Sequence, residues 1–562
     1  MENGLTKAAV LRWVFLAAAL AALNASLTFS NLWPTLAIRL NADVSIELAV
    51  CVLAMILAHR WLRPRWPGVA SRTTERCLAV LWVVLIVGRY VDVTVRSLYG
   101  RDLDLYWDLQ FVPDVSAMFA FVAKPWLAAA VVLGVVLIPI LIYLPVRWAL
   151  RRVGAATDDP AARVVLGATA AVALLLWVAQ FLPERLSGIP WSADARILPA
   201  IQFAQPVTPA YARVVREFAY EMTGAGVRAL PTPPSMHFDL SRVSGADVFL
   251  MFLESYGAVS WDRPEFAEAL AASRAHLEAD IRETGRSVVS ASVESTTFGG
   301  ESWLAHVSLL SGTEVRDQRT NMLLMAQQRD TLVKVFGRHG YRTVAIMPGL
   351  LRGWPAGSFY GFETIYDLAR LDYRGPPFGW WDINDQFALA RADALEIAPL
   401  SRRPAFIFFP TITTHAPFTP APPYQPDWSR VLTSHAYDEA DLDRAWSDQP
   451  DWLNLGPSYV HALAYAYMTV GGYLRLRADR DVVMILIGDH QPPGLVSGAG
   501  ASWNVPVHII ASRGGVINRL RDHGFLEGLN PGRTAVARMD TLLPLLLDAF
   551  GDEEVSTAAG RR

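Results

Sequence analysis

Cysteine is almost missing from this chain: there are two among 562 residues, Cys51 and Cys77, both in or beside apolar segments of the first third. The remainder has none, so it folds without disulfides. Its stability must come from a large apolar core, for which roughly 330 residues suffice. Charge is also scarce, at 18% of residues, and it nearly balances, to a formal net charge of -3. With no basic stripe in the second half, nucleic acid is not expected as a partner. No internal repeat is visible, and a chain this long exceeds one domain.

Hydrophobic residues are abundant, at 52% with a mean hydropathy of +0.25. The excess lies in the first third. Five stretches there are long and apolar enough to span a bilayer, which takes roughly 20 residues each: near Val10–Leu32, Val44–Leu62, Leu78–Val95, Pro125–Val146 and Val164–Leu182. No small-x-small cleavage site precedes a soluble domain, and four further apolar stretches follow the first, which argues against a cleaved signal peptide. Arg60, Arg63, Arg65, Arg72 and Arg76 separate the second and third stretches. Arg147, Arg151, Arg152 and Arg163 separate the fourth and fifth, and Lys7 and Arg12 precede or open the first. With five spans all of these fall on one side, which the positive-inside rule makes cytoplasmic; the chain from about Pro183 is then outside. Arg89 and Asp92, at i, i+3 near the outer end of the third span, either pair with each other or meet a lipid head group.

The expected organisation is a five-span membrane domain over 1–182, a proline-bearing connector over 183–240, and a globular domain over 241–562. Within the connector, Tyr211–Met222 is amphipathic and either lies on the membrane or packs as a helix. The globular part alternates strand and helix. Candidate strands are Val248–Leu253, Ser287–Val293, Thr343–Ile346, Ala405–Thr411, Val482–Ile487 and Val507–Ala511. Strands separated by helices predict a mainly parallel sheet covered on both faces.

Two of these apolar runs stop at ionisable residues, one at Glu254 and the other at Asp489-His490. Chemistry in open α/β sheets sits just beyond the carboxyl ends of strands. Two carboxylates and an imidazole at one edge suit a divalent metal. The plainer reading is a helix-capping Glu and a loop Asp-His. Between strands two and three lies Phe298-Gly-Gly-Glu-Ser302, opening an apolar helix. Two glycines allow a tight turn, and a nucleophile at a helix N-terminus gains from the dipole. The competing readings are that Ser302 is merely an N-cap, or that Thr297, in the same turn, is the nucleophile.

In this order the motifs resemble the alkaline-phosphatase and sulfatase superfamily. More closely they resemble its membrane-anchored head-group transferases: lipoteichoic acid synthases, phosphoglycerol transferases of periplasmic glucans and lipid A phosphoethanolamine transferases. Leu253-Glu254-Ser255 is similar to the strand end with the metal-binding glutamate, and Gly488-Asp489-His490 to the paired metal ligands. Phe298-Gly-Gly-Glu-Ser302 fits the nucleophile turn. Leu-Leu-Ser-Gly312 is similar to the sulfatase Leu-Leu-Thr-Gly, whose register also selects Ser302. Thr411-Ile-Thr-Thr-His415 is similar to the segment whose histidine contacts the head-group phosphate. Pro348–Asp367, with Arg352 and Trp354, resembles a substrate-side segment.

The resemblance implies an α/β/α sandwich of the alkaline-phosphatase/sulfatase type behind five transmembrane helices, in a bacterial inner membrane with the catalytic domain periplasmic. It implies one divalent ion, zinc or manganese, on Glu254, Ser302, Asp489 and His490. Ser302 is then the nucleophile, and His415, Trp354 and Arg352 are substrate contacts. A phospholipid donor and a glycan or lipid acceptor are the expected partners, and a monomer the expected state. Departures are Ser in place of Thr at the nucleophile, Gln491-Pro-Pro493 after the Asp-His pair, and 421–457, which has no counterpart. The rivals are a sulfatase, a phosphodiesterase or phosphatase using water, and a non-catalytic membrane sensor. The Cys/Ser-x-Pro/Ala-x-Arg signal of sulfatases is missing, since Leu304 and His306 stand where Pro/Ala and Arg belong.

Overall fold

The computed structural model describes residues 2–32, 37–62, 72–180, 202–223, 230–351 and 353–553. The chain divides into two compact units, one of Met1–Ser97 and Asp102–Gly226, the other of Leu98–Arg101 and Val227–Arg562.

The first unit is helical: α1 (Glu2–Thr28), α2 (Ile46–Leu57), α3 (Arg72–Tyr99), α4 (Leu105–Val122), α5 (Pro125–Ala156), α6 (Pro160–Ala179) and α7 (Val207–Thr223). Four helices among the described residues are long and apolar enough to cross a membrane: Val10–Thr28, Arg72–Tyr99, Pro125–Ala156 and Pro160–Ala179. The stretch expected as the second span forms α2, capped by Ser45, whose Oγ accepts from the Leu48 N–H. It continues as one π-helical turn over Ala58–Leu62. The aromatic stretch Leu105-Tyr-Trp107 opens α4, started by Asp104 as N-cap to the Trp107 N–H. Much of the connector, residues 181–201 and 224–229, lies outside the described residues. Its amphipathic stretch is α7, which packs within this unit: the Tyr211 hydroxyl donates to the Val84 carbonyl, and Phe218 meets Tyr106 edge-on at 6.0 Å.

Of the two readings of Arg89 and Asp92, their mutual pair is not formed. Asp92 pairs with Arg96 at 3.1 Å, one helical turn on, while Arg89 Nε donates to the Phe29 carbonyl at 3.1 Å. The i, i+4 partner takes Asp92 because Arg89 is held by backbone from another segment.

Among the described residues the second unit is built on a nine-stranded sheet. Its strands are β1 (Asp247–Leu253), β2 (Ser287–Glu294), β3 (Arg342–Met347), β4 (Thr364–Asp367), β5 (Ala405–Pro410), β6 (Val482–Gly488), β7 (Asn504–Ala511), β8 (Leu526–Glu527) and β9 (Ala535–Arg538). The order is β8-β2-β7-β6-β1-β5-β3-β4, with β9 also beside β2. The centre, β6-β1-β5-β3-β4, is parallel, whereas β7 runs antiparallel to both β6 and β2. The sheet is therefore mixed and mainly parallel. All seven residues of β1 and of β6 are buried. Alternate residues enter two apolar layers: Val248, Leu250 and Phe252 in one, Phe249, Met251 and Leu253 in the other. Both faces are covered, which is why these strands are apolar throughout.

Candidate active site

Register brings the site together. β1 and β6 are parallel neighbours with Leu253 opposite Gly488. The next residue on each, Glu254 and Asp489, therefore leaves the sheet at the same edge. β5 flanks β1 on the other side, with Pro410 opposite Phe252. The Thr411 hydroxyl accepts from the Glu254 N–H at 3.1 Å. Beyond Thr411 the chain turns to His415. That turn is fixed by the buried Asp385, whose carboxylate accepts from the N–H groups of Ile412 at 2.8 Å and Thr413 at 2.9 Å.

The glycine turn follows β2. It is strapped to the 489–491 segment twice: Ser295 Oγ donates to the Asp489 carbonyl, and the Gly299 N–H to the Gln491 carbonyl at 3.1 Å. Gly299 at φ 71° and Glu301 at φ 61° are left-handed, and for Glu301 that conformation carries strain. The helix α8 (Ser302–Ser311) then begins, with Glu301 at the cap position and no side-chain cap bond. Ser302 is thus not the N-cap. Its hydroxyl donates to Glu254 Oε2 at 2.8 Å and lies 3.2 Å from His490 Nε2. The Thr297 hydroxyl is committed elsewhere, donating to the Gly300 carbonyl inside the turn.

Glu254, Asp489 and His490 each offer a ligand atom, and all three atoms lie within 4.8 Å of one another. His490 Nδ1 is 2.7 Å from the Gln491 carbonyl. A carbonyl only accepts, so Nδ1 carries the hydrogen and Nε2 faces Glu254 and Ser302. Asp489 Oδ1 accepts from the N–H groups of Ser255 at 2.8 Å and His490 at 2.7 Å. Its other oxygen, Oδ2, is buried with no hydrogen-bond partner among the described residues. An orphaned carboxylate oxygen beside an inward-facing imidazole fits a divalent ion, and an oxygen–nitrogen set suits zinc or manganese.

Electrostatics point the same way. Burial alone would raise the Glu254 pKa, but the charge of His490 and its hydrogen bond hold it well below the usual carboxylate range. Burial and the Glu254 charge push Asp489 up. Burial opposes a charged His490, yet Asp489 and Glu254 together raise it to about 9. His490 Nε2 lies 3.2 Å from Glu254 Oε1, where a charged imidazole offsets the Glu254 carboxylate. One turn along α8, His306 is buried against Phe252, ring centroids 4.4 Å apart, and burial lowers its pKa to about 3. It is a neutral neighbour to the pair.

His415 donates through Nδ1 to the Ala416 carbonyl at 2.7 Å and meets Trp381 edge-on at 4.8 Å. Trp354, expected as a substrate contact, packs on Tyr360 at 5.1 Å. Trp381, which the sequence reading passed over, is the tryptophan beside His415. Arg352 lies outside the described residues. Gln491 is a strut: its Oε1 accepts from the Val259 N–H at 3.2 Å, and Nε2 donates to the carbonyls of Ser502 at 2.9 Å and Asn504 at 3.1 Å. A Cβ on Gly257 would meet Gln491 Oε1 at 1.9 Å, so glycine is required there.

Residues 309–506 match the sulfatase family. That match contains His415, Asp489 and His490 and begins after Ser302. The match lies within the second unit, where this stretch is similar to a sulfatase domain, in keeping with the motifs quoted above. No curated protein matches the chain in sequence. Solved structures that resemble it include the integral membrane protein lipooligosaccharide phosphoethanolamine transferase A (EptA) from Neisseria meningitidis. It is 14% identical, and the likeness covers 94% of this chain and 95% of that one at a TM-score of 0.44. The lipoteichoic acid synthase LtaP from Listeria monocytogenes is 13% identical, over 50% of this chain and 68% of its own, at 0.34. A protein of the alkaline phosphatase superfamily from Vibrio parahaemolyticus is 17% identical, over 57% and 70%, at 0.38.

Proposed function

We propose that this protein is a metal-dependent head-group transferase. It takes a phosphoglycerol- or phosphoethanolamine-type group from a membrane phospholipid and passes it to a glycan or lipid acceptor outside the cytoplasm. The carrying observation is the Ser302 hydroxyl, 2.8 Å from Glu254 Oε2 and 3.2 Å from His490 Nε2, at the mouth of a buried carboxylate–imidazole cluster. The setting is a bacterial inner membrane, with residues 1–182 spanning it, 183–240 as connector and 241–562 as a periplasmic catalytic domain acting as a monomer.

Glu254, Asp489 and His490, with Ser302 as the fourth ligand, hold one divalent ion, zinc or manganese. When bound, that ion lowers the pKa of the serine hydroxyl and offsets developing negative charge. The remaining work falls to the chain. Glu254 Oε2 receives the serine hydroxyl hydrogen and so aims the Oγ lone pairs outward. Ser302 Oγ bonds to phosphorus while the bond from phosphorus to the diacylglycerol oxygen breaks, and the hydrogen that leaves Ser302 ends on that oxygen. His415, its ring oriented by the Nδ1–H bond to the Ala416 carbonyl, contacts the head-group phosphate beside Trp381, with Arg352 and Trp354 as further substrate contacts. An acceptor hydroxyl then displaces Ser302 Oγ, which regains its proton. Splitting the transfer in two lowers each barrier.

The test is incubation of the full-length protein with isotope-labelled phospholipid and no acceptor, then mass analysis of the tryptic peptide carrying Ser302. A head-group adduct on Ser302 is expected. Free labelled head group released without any adduct, in wild type and in Ser302→Ala alike, would end the covalent reading.

A further inference from the structure

The helical unit contains a cavity of about 690 Å³, within the range of sites that hold small ligands. One stripe of each of three helices lines it, Ile46, Val50 and Ala54 on α2 facing Leu78 and Trp82 on α3, with Gly154 on α5. From Glu47 to His59 the slot runs about 18 Å at 1.5 Å per residue. One leaflet of hydrocarbon is about 15 Å deep. The middle of the slot is apolar and its ends are not. At one end Glu47 Oε1 accepts from the Thr208 N–H at 3.2 Å and closes the slot. At the other, His59 pairs with Asp158 at 3.2 Å, and Arg151 pairs with Glu75.

An acyl chain laid against this apolar lining is favoured, because it removes apolar surface from water. Water does not fill an apolar slot. Its filling is therefore hydrocarbon, and the charged rim says that the hydrocarbon ends in a polar head at that rim. Val50 and Leu81 line the slot yet are 50% and 55% exposed, so it opens sideways between α2 and α3. We propose that this slot is a binding site for one acyl chain of a glycerophospholipid, whose phosphate is held at the rim by Arg151 and His59. This lipid is not the donor acted on at Ser302, and its site stands whether or not that chemistry does.

The test uses the full-length protein reconstituted in vesicles of phosphatidylethanolamine and phosphatidylglycerol that contain a phospholipid with a photoactivatable acyl chain. The vesicles are chased with excess unlabelled lipid before illumination. Adducts on peptides from 46–58 and 74–85 should survive the chase at least tenfold better than adducts on the largely exposed stretch 131–141. Ala54→Trp should lose the slot adducts and keep those on 131–141. Arg151→Gln, with the slot intact, should speed exchange from the slot. Equal chase rates for slot and outer surface in the wild type would overturn the proposal, as would undiminished slot labelling in a folded Ala54→Trp protein. The wild-type chase decides by itself if Ala54→Trp does not fold.

Discussion

Two buried carboxylates, Glu47 in one unit and Asp489 in the other, are treated in opposite ways. In the helical unit Glu47 is buried and saturated: it accepts from the N–H groups of Val207 and Thr208, the Thr208 hydroxyl and the Ser45 hydroxyl. Arg89 is tied to the Phe29 carbonyl. At the sheet edge of the other unit, Asp489 Oδ2 and His306 Nε2 are buried with no partner among the described residues. An unmet buried polar atom costs about 1–3 kcal/mol. Saturated carboxylates hold segments together, whereas an unsaturated one is kept because something else completes it.

The comparison breaks most sharply at Ser302. Ser302→Ala should lower turnover by about 10³-fold or more, as loss of a nucleophile does. Melting should shift by no more than about 1 kcal/mol, because Ser302 caps no helix. Initial rates and thermal melts on the same preparation check both, and Thr297→Ala, which touches only the turn, is the control. Near-normal turnover in Ser302→Ala would undo the assignment.

Next in size is the open carboxylate. Asp489→Ala should cost more than about 100-fold in metal affinity, since even outer-shell partners are worth roughly 10- to 100-fold. Elemental analysis after dialysis reads this directly. The pH dependence sharpens it. His490 is raised to about 9 by its two carboxylates, so at neutral pH a metal must displace its proton. Affinity should then rise with pH, up to about tenfold per unit, until about pH 9, with one proton released per ion from this residue. An affinity independent of pH between about 7 and 9 would contradict that exchange.

The smallest effect tests the saturated side. Glu47→Ala leaves the Val207 and Thr208 N–H groups without their acceptor and should destabilise the helical unit by about 1–3 kcal/mol. Chemical denaturation of the variant beside the wild type measures it. Metal content should not change. Loss of metal in Glu47→Ala would show that the two units do not divide their roles in this way.

The central strands were legible because residues 248–253 and 482–487 are uninterrupted apolar runs, and a strand covered on both faces tolerates that pattern. What an apolar run does not record is direction, so the antiparallel setting of β7 was not readable. β4, four residues with one buried, carries too little pattern to stand out. In the site, Glu254, Asp489 and His490 announced themselves by ending apolar runs, and Ser302 by its glycines. Trp381 gave no such signal: its place beside His415 depends on the 411–415 turn, which Asp385 sets from a distant helix. An aromatic such as Trp354 looks the same in sequence whether it faces a ligand or packs on a neighbour, and in the structure its ring lies 5.1 Å from that of Tyr360. The charge pairing in α3 could not be chosen from spacing alone, since the backbone of Phe29 decided it.

The pairing of Leu253 with Gly488 also bears on how the protein matures. The Ser255 N–H and Asp489 Oδ1 that it brings together are 234 residues apart in the chain. Contacts of such separation form late and slowly, because the loop between them must close first. A nascent or truncated chain ending before β6 has Glu254 and the glycine turn but nothing to complete the cluster. The group of Glu254, Asp489 and His490 is therefore complete only in the completed sheet.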